Sequence, residues 1–76
     1  WFINLMSLSN KQSAVDLTVR ANKAGFPVVL EPTRVRDKPL WRLRIYGFES
    51  REAAGEYGSK VQRKLGLGEF LVRKQS

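Results

Sequence analysis

The chain of 76 residues contains neither cysteine nor histidine. Disulfides, thiolate and imidazole metal ligands and a Ser-His-Asp triad are therefore excluded. No apolar run approaches the roughly 18 residues of a membrane span, and no charged segment precedes Trp1-Phe2. The sequence thus predicts neither a transmembrane helix nor a signal peptide, and its start on Trp favours a module excised from a longer protein.

Acidic residues are also scarce, because seven Asp and Glu stand against fourteen Lys and Arg, for a net charge of +7. Such a surface favours anionic partners, among them nucleic acid, acidic lipid and acidic polysaccharide, and charge alone does not choose between them. The hydrophobic content of 42% is too high for a disordered chain. We expect residues 1–76 to form one small domain, with a core that buries about 60% of the unfolded chain's surface.

The clearest pattern is the period-two alternation of residues 40–46. Its two sets of side chains are Trp41, Leu43 and Ile45 on one side and Leu40, Arg42, Arg44 and Tyr46 on the other. Such alternation predicts a half-buried antiparallel strand. The first set belongs in the core, and the second combines guanidinium donors with apolar surface, which is suited to binding a ligand.

The remaining elements follow from similar signals. Residues 1–6 alternate as a first strand, with Phe2, Asn4 and Met6 opposite Trp1, Ile3 and Leu5. The other predicted elements are a helix over 11–24 capped by Asn10, a strand over 26–31, a polar hairpin loop over 33–39, a helix capped by Ser50 and ended by Gly66, and a strand over 69–73. Gly55 and Gly58 within the second helix suggest close packing.

The two halves of the chain, about 1–32 and 40–73, resemble one another when shifted by forty residues. Trp1 then falls on Trp41, and Asn10 falls on Ser50. Two βαβ units predict an α+β fold of the ferredoxin-like, RNP-like βαββαβ type, with a four-stranded antiparallel sheet of order 4-1-3-2 and two helices on one face. The uncovered face of that sheet is the candidate binding site.

Five segments resemble, in order and spacing, motifs of the SPOR (sporulation-related repeat) domain of bacterial cell-envelope and division proteins. They are residues 1–9, 11–14, 24–27, 42–48 and 50–54. The resemblance implies a module that binds denuded peptidoglycan glycan, the strands left at the division septum after amidases remove the stem peptides. The family's ligand-contacting positions fall on Asn4, Ser7, Arg42 and Leu71. Four departures are Asn4 in place of Gln, Met6 in place of Gly, Tyr46-Gly47 in place of Gly-Pro, and Leu40 where some members carry an aromatic residue.

The chemistry of this face suits a denuded glycan, which presents sugar faces and free lactyl carboxylates. Arg42 and Arg44 can form charge-assisted hydrogen bonds to carboxylates, and Asn4 and Ser7 can exchange hydrogen bonds with hydroxyls and N-acetyl groups. Apolar side chains can cover a sugar ring. The predicted glycan-binding residues are Asn4, Met6, Ser7, Leu40, Arg42, Arg44, Tyr46 and Leu71, and we expect no catalytic residue, metal or cofactor.

RNA binding and protein interaction are two other functions that agree with the predicted fold or with the positive charge. The RNA-recognition motif shares the topology, but one outward aromatic on the third strand is a poor stacking platform, so we expect no nucleic acid. A protein-interaction module would use the open sheet face and loop 33–39. We expect no enzyme activity, because the sequence has no His, no Cys and no carboxylate pair placed in a recognisable cleft. Glu31 and Glu49 flank strand ends and are interpreted as solvated charges. By resemblance the domain lies at the septum in the periplasm or cell envelope, with divisome proteins as further partners and any membrane anchor outside this chain.

Overall fold

Six elements follow one another as strand, helix, strand, strand, helix and strand. The computed structural model describes residues 1–75, with strands β1 (Phe2–Leu8), β2 (Val29–Val35), β3 (Lys38–Ile45) and β4 (Leu71–Arg73) and helices α1 (Lys11–Lys23) and α2 (Arg51–Leu65). The strands form one sheet of order β2-β3-β1-β4, in which every neighbouring pair is antiparallel. The predicted βαββαβ fold and strand order are confirmed.

The ends of both helices are fixed by side chains that the sequence singles out. The Asn10 side chain accepts a hydrogen bond from the backbone N–H of Ser13 at 2.9 Å, and Ser50 Oγ accepts one from the backbone N–H of Ala53 at 3.1 Å. Gly66 ends α2 with φ = 67°, a left-handed conformation that glycine adopts without steric cost. These local features fix where α1 and α2 begin and where α2 ends.

The core lies between the helices and one face of the sheet. Ile3, Leu43 and Ile45 are at most 1% exposed, and small residues let the helices lie close, with Ala14 and Ala21 buried on α1. Trp1 and Trp41 have the predicted parity, but they are half-buried and pack against this cluster rather than within it. The centres of β1 and β3 therefore carry the core.

One of the two interior glycines of α2 is required for packing. A Cβ at Gly58 would clash with the ring of Phe70, whereas a Cβ at Gly55 would have no atom within 4 Å. Phe70 directly precedes β4, so the packing of its ring against α2 at Gly58 positions β4 beside β1. Close packing is thus confirmed for Gly58 and does not apply to Gly55.

The prediction of a polar loop over 33–39 is wrong. β2 continues to Val35 and β3 begins at Lys38, so only Arg36 and Asp37 connect them. Both have positive φ, 51° and 64°, as a type I′ turn requires, and this turn joins two strands with a two-residue connection. Pro32 lies within β2, and it is tolerated there because β2 is an edge strand.

A β-bulge in β1 changes which side chains share a face. Asn4 pairs with Arg44 and Met6 pairs with Leu43, so Leu5 is the extra residue of the bulge. Leu5 is buried, and Met6 packs against the core on the same side. The expected placement of Met6 on the uncovered face is therefore wrong, whereas Ser7, opposite Arg42, returns to that face.

Candidate functional site

One face of the sheet is left uncovered by the helices, and the strand register defines its members. We call it the open face. Its residues include Phe2, Asn4 and Ser7 on β1, Val29, Glu31 and Thr33 on β2, Leu40, Arg42 and Arg44 on β3, and Leu71 and Arg73 on β4. All four strands thus contribute, with β1 and β3 at the centre.

The middle of the open face is concave. A depression of about 350 Å³, the open-face groove, is lined by Phe2, Asn4, Ser7, Arg42, Arg44, Leu71 and Arg73. Three arginines supply positive charge, Asn4 and Ser7 supply neutral hydrogen-bonding groups, and Phe2 and Leu71 supply apolar surface. Leu71 is 52% exposed, so its apolar side chain is accessible to a ligand in the groove.

Arg44 is held in place by its neighbours. Its Nε donates to Asn4 Oδ1 at 3.4 Å, and its Nη1 lies 3.6 Å from Glu31 Oε2. The guanidinium carbon lies 4.8 Å from the centre of the Phe2 ring, a cation–π distance. Because only 19% of this side chain is exposed and a carboxylate is its partner, Arg44 is oriented and largely neutralised.

A second partner completes this arrangement. The hydroxyl of Tyr46 donates to Glu31 Oε1 and accepts from Arg44 Nη1 at 3.4 Å. The Tyr46 ring lies 5.3 Å from the ring of Phe2. The four side chains of Glu31, Arg44, Tyr46 and Phe2 therefore form one connected cluster at one end of the open face, which we call the Arg44 cluster.

Arg42 differs from Arg44 although both lie on the same face of the same strand. Within residues 1–75 its guanidinium makes no hydrogen bond or ion pair, because the carboxylate of Glu31, its neighbour on β2, turns toward Arg44. Arg42 is half-buried, and Arg73 at the other side of the groove is exposed and likewise has no ion pair in that range. The uncompensated positive charge of the groove thus belongs to Arg42 and Arg73.

The structure brings five of the eight predicted residues together in the groove: Asn4, Ser7, Arg42, Arg44 and Leu71. Leu40 lies on the open face opposite Thr33, but it lines a separate depression of about 340 Å³ at the β2–β3 hairpin. Tyr46 borders the groove through Phe2 and Arg44. Met6 is on the covered side.

Three residues of the site were missing from the predicted set. Phe2 has the same parity as Asn4, and Arg73 follows Leu71 by two positions, so alternation alone would have identified both. The interpretation of Glu31 as a solvated charge at a strand end is wrong, because β2 runs on to Val35 and places Glu31 in mid-strand, paired with Arg44. Its partner was not visible in the sequence, since the pair is 13 residues apart and depends on the hairpin register.

The described residues offer little for other chemistry. Residues 1–75 contain no group of three or more side chains that could hold a metal ion. Neither helix combines the length and the apolar character that crossing a bilayer requires. What the open face does provide is an open groove with free guanidinium groups, which is an arrangement for binding an anionic, partly apolar ligand.

Comparison with known proteins assigns the fold to a family. The sequence model of the SPOR domain family matches residues 1–73 of the chain. The crystal structure of the RlpA SPOR domain from Pseudomonas aeruginosa superposes with a TM-score of 0.74 at 20% identity, over 96% of this chain and 97% of that one. No curated protein matches. With a match over nearly its whole length, the chain belongs to the SPOR domain family, whose members are peptidoglycan-binding modules of bacterial envelope and division proteins.

Proposed function

We propose that this domain binds peptidoglycan glycan strands from which the stem peptides have been removed, and that it does so in the open-face groove, without catalysis. The observation that carries the proposal is the free guanidinium of Arg42 at the centre of that groove. A denuded strand exposes the lactyl carboxylate of each muramic acid, and an intact stem peptide converts that carboxylate into an amide. A free arginine at the sugar-binding face can therefore pair with the lactyl carboxylate only in the denuded form.

Arg42 and Arg73 are the residues we assign to the carboxylate. An arginine–carboxylate hydrogen bond is about twice as strong as a neutral one, and it can be bidentate because the guanidinium presents its N–H groups in a planar fork. Half-burial of Arg42 reduces the competition from water and screening by salt. Arg73 is more exposed and contributes mainly to attraction at longer range.

Neutral groups of the same groove suit the rest of the sugar. Asn4 Oδ1 already accepts from Arg44, which leaves its Nδ2 hydrogens for a hydroxyl or an N-acetyl carbonyl of the ligand. Ser7 is exposed and can both donate and accept. Phe2 and Leu71 provide apolar surface for a sugar face or an acetyl methyl.

Recognition of denuded glycan would target a larger protein to the division septum, where amidases act. In this proposal the domain lies in the periplasm or cell envelope, and divisome proteins are further partners. Binding of another protein or of RNA on the same face is the alternative to glycan binding.

The test is retention on purified sacculi with and without amidase treatment. We expect retention to rise on the treated form and to fall about tenfold or more for Arg42→Ala, the cost of one hydrogen-bonded charge. Arg51→Ala is the matched control, because Arg51 is exposed in the first turn of α2 and its loss changes the net charge equally. Equal retention on both forms, or equal losses in the two variants, would contradict the proposal.

Binding to single-stranded RNA in place of sacculi, with a steep dependence on salt, would support the nucleic-acid alternative. Absence of binding to both would favour a protein partner.

A further inference from the structure

Glu31 is the only acidic residue within the four strands. Its side chain lies on the open face, accepts from Tyr46 and pairs with Arg44. It remains 36% exposed, so a ligand on this face approaches a carboxylate as well as the arginines. A carboxylate beside an anion-binding groove weakens the attraction of the groove for every anion. The presence of Glu31 is therefore not explained by affinity.

We propose that Glu31 determines the specificity of the open face, by confining its free positive charge to Arg42 and Arg73 and so excluding densely charged polyanions. The inference rests on the proposed glycan function. A denuded glycan has isolated carboxylates separated by neutral sugars, so one can lie at Arg42 while neutral sugar contacts the Arg44 cluster. A polyanion with a charge on every unit must place one of its charges next to Glu31.

The geometry limits this effect to one side of the groove. Arg44 pairs with Glu31 and donates a hydrogen bond to Asn4. The neutralised Glu31–Arg44 pair therefore lies on the β2–β3 side of the sheet, whereas Arg73 lies on β4 at the opposite edge. Repulsion between like charges falls off over a Debye length of about 8 Å at physiological ionic strength. Glu31 therefore acts on the ligand unit over β2 and β3 more than on the one over β1 and β4.

Tyr46 explains why the carboxylate stays in this position. Its hydroxyl donates to Glu31 and accepts from Arg44, so it holds the acid away from Arg42 although Arg42 is the direct neighbour of Glu31 across the strands. Discrimination against an unwanted ligand by a placed repulsive charge is a common means of specificity. Here the same charge leaves Arg42 free for the intended carboxylate.

The experiment compares binding of poly(U) and of amidase-treated sacculi by the wild type, Glu31→Gln and Glu56→Gln. Gln keeps an acceptor for Tyr46 and removes the charge, and Glu56 is an exposed residue of α2, on the other layer, whose replacement changes the net charge equally. For E31Q we expect poly(U) affinity to rise about tenfold at low salt, with a slope against log salt steeper by about 0.7, one further phosphate contact. Retention on treated sacculi should change by less than about threefold.

A second variant shows whether the effect of E31Q comes from the positive charge left on Arg44. The pair Glu31→Gln with Arg44→Gln restores the wild-type net charge, and we expect it to return poly(U) affinity to the wild-type value. Equal poly(U) affinity of wild type and E31Q, or an equal rise in E31Q and E56Q, would overturn the role of Glu31. Failure of the wild type to bind treated sacculi would instead overturn the proposed function. The poly(U) affinities of E31Q and E56Q can be compared whether or not the wild type binds sacculi.

Discussion

The two faces of the sheet are built from alternate residues of the same strands, yet their side chains differ in burial and in polar contacts. On the covered face Ile3, Leu43 and Ile45 are essentially inaccessible to solvent and belong to the hydrophobic core. On the open face Asn4 and Arg44 are joined by a hydrogen bond, and Arg42 has no partner within residues 1–75. The covered face therefore sets stability and the open face sets recognition, and substitutions on the two sides of one strand separate these properties.

The largest expected effect is on the covered face. Leu43→Ala removes a fully buried side chain at the centre of β3, and we expect the free energy of unfolding to fall by about 2–5 kcal/mol, from lost burial and the cavity left behind. Urea denaturation monitored by tryptophan fluorescence measures it. Leu40→Ala on the open side of the same strand is the control, with an expected loss of roughly 1 kcal/mol or less. Similar losses in both variants would contradict the distinction between the faces.

The next effect tests the packing of Phe70 against α2 on the covered side of the sheet. Gly58→Ala forces the ring of Phe70 away from α2, and we expect a loss of about 1–3 kcal/mol from overpacking. Gly55→Ala in the same helix meets no atom within 4 Å and should instead stabilise the protein by about 0.5–1 kcal/mol through helix propensity. Thermal unfolding of the two variants shows whether each substitution stabilises or destabilises the protein. A stabilising Gly58→Ala would show that Phe70 has room to move.

Sequence patterns were sufficient for the covered face and only partly so for the open one. Alternation placed Leu43 and Ile45 in the core, and the caps at Asn10 and Ser50 marked both helices, because these signals are local. The bulge at Leu5 is a property of how β1 meets β3, so it could not be seen in β1 alone, and Met6 was misplaced in consequence.

The Glu31 pair was missed for a related reason. It depends on where the hairpin turns, and that turn uses two residues with positive φ and no glycine, which is a weak sequence signal.

A smaller effect distinguishes two residues of the open face itself. Arg44→Ala removes the central member of the Arg44 cluster and leaves Glu31 without its ion-pair partner, so we expect a loss of about 1–2 kcal/mol in the free energy of unfolding. Arg42→Ala breaks no such bond and should leave the melting temperature within about 1 °C. Glycan binding should show the reverse order, with the greater loss in R42A. The same ranking in stability and in binding would mean that the open face does not divide into a structural and a recognition arginine.

The smallest effect concerns the turn that assigns side chains to the two faces. Because strand side chains alternate and β3 is also held by β1, a slip of one residue between β2 and β3 would move Glu31 of the edge strand to the covered side and Leu30 to the open one. Arg36 and Asp37 hold the register in a left-handed conformation that costs energy for residues with a side chain. Replacing them by Asn-Gly, the pair favoured in such turns, should raise the free energy of unfolding by about 0.5–1 kcal/mol and leave glycan retention unchanged. A gain in stability accompanied by a loss of retention would place Arg36 or Asp37 in contact with the ligand, and would extend the binding surface from the groove to the hairpin tip.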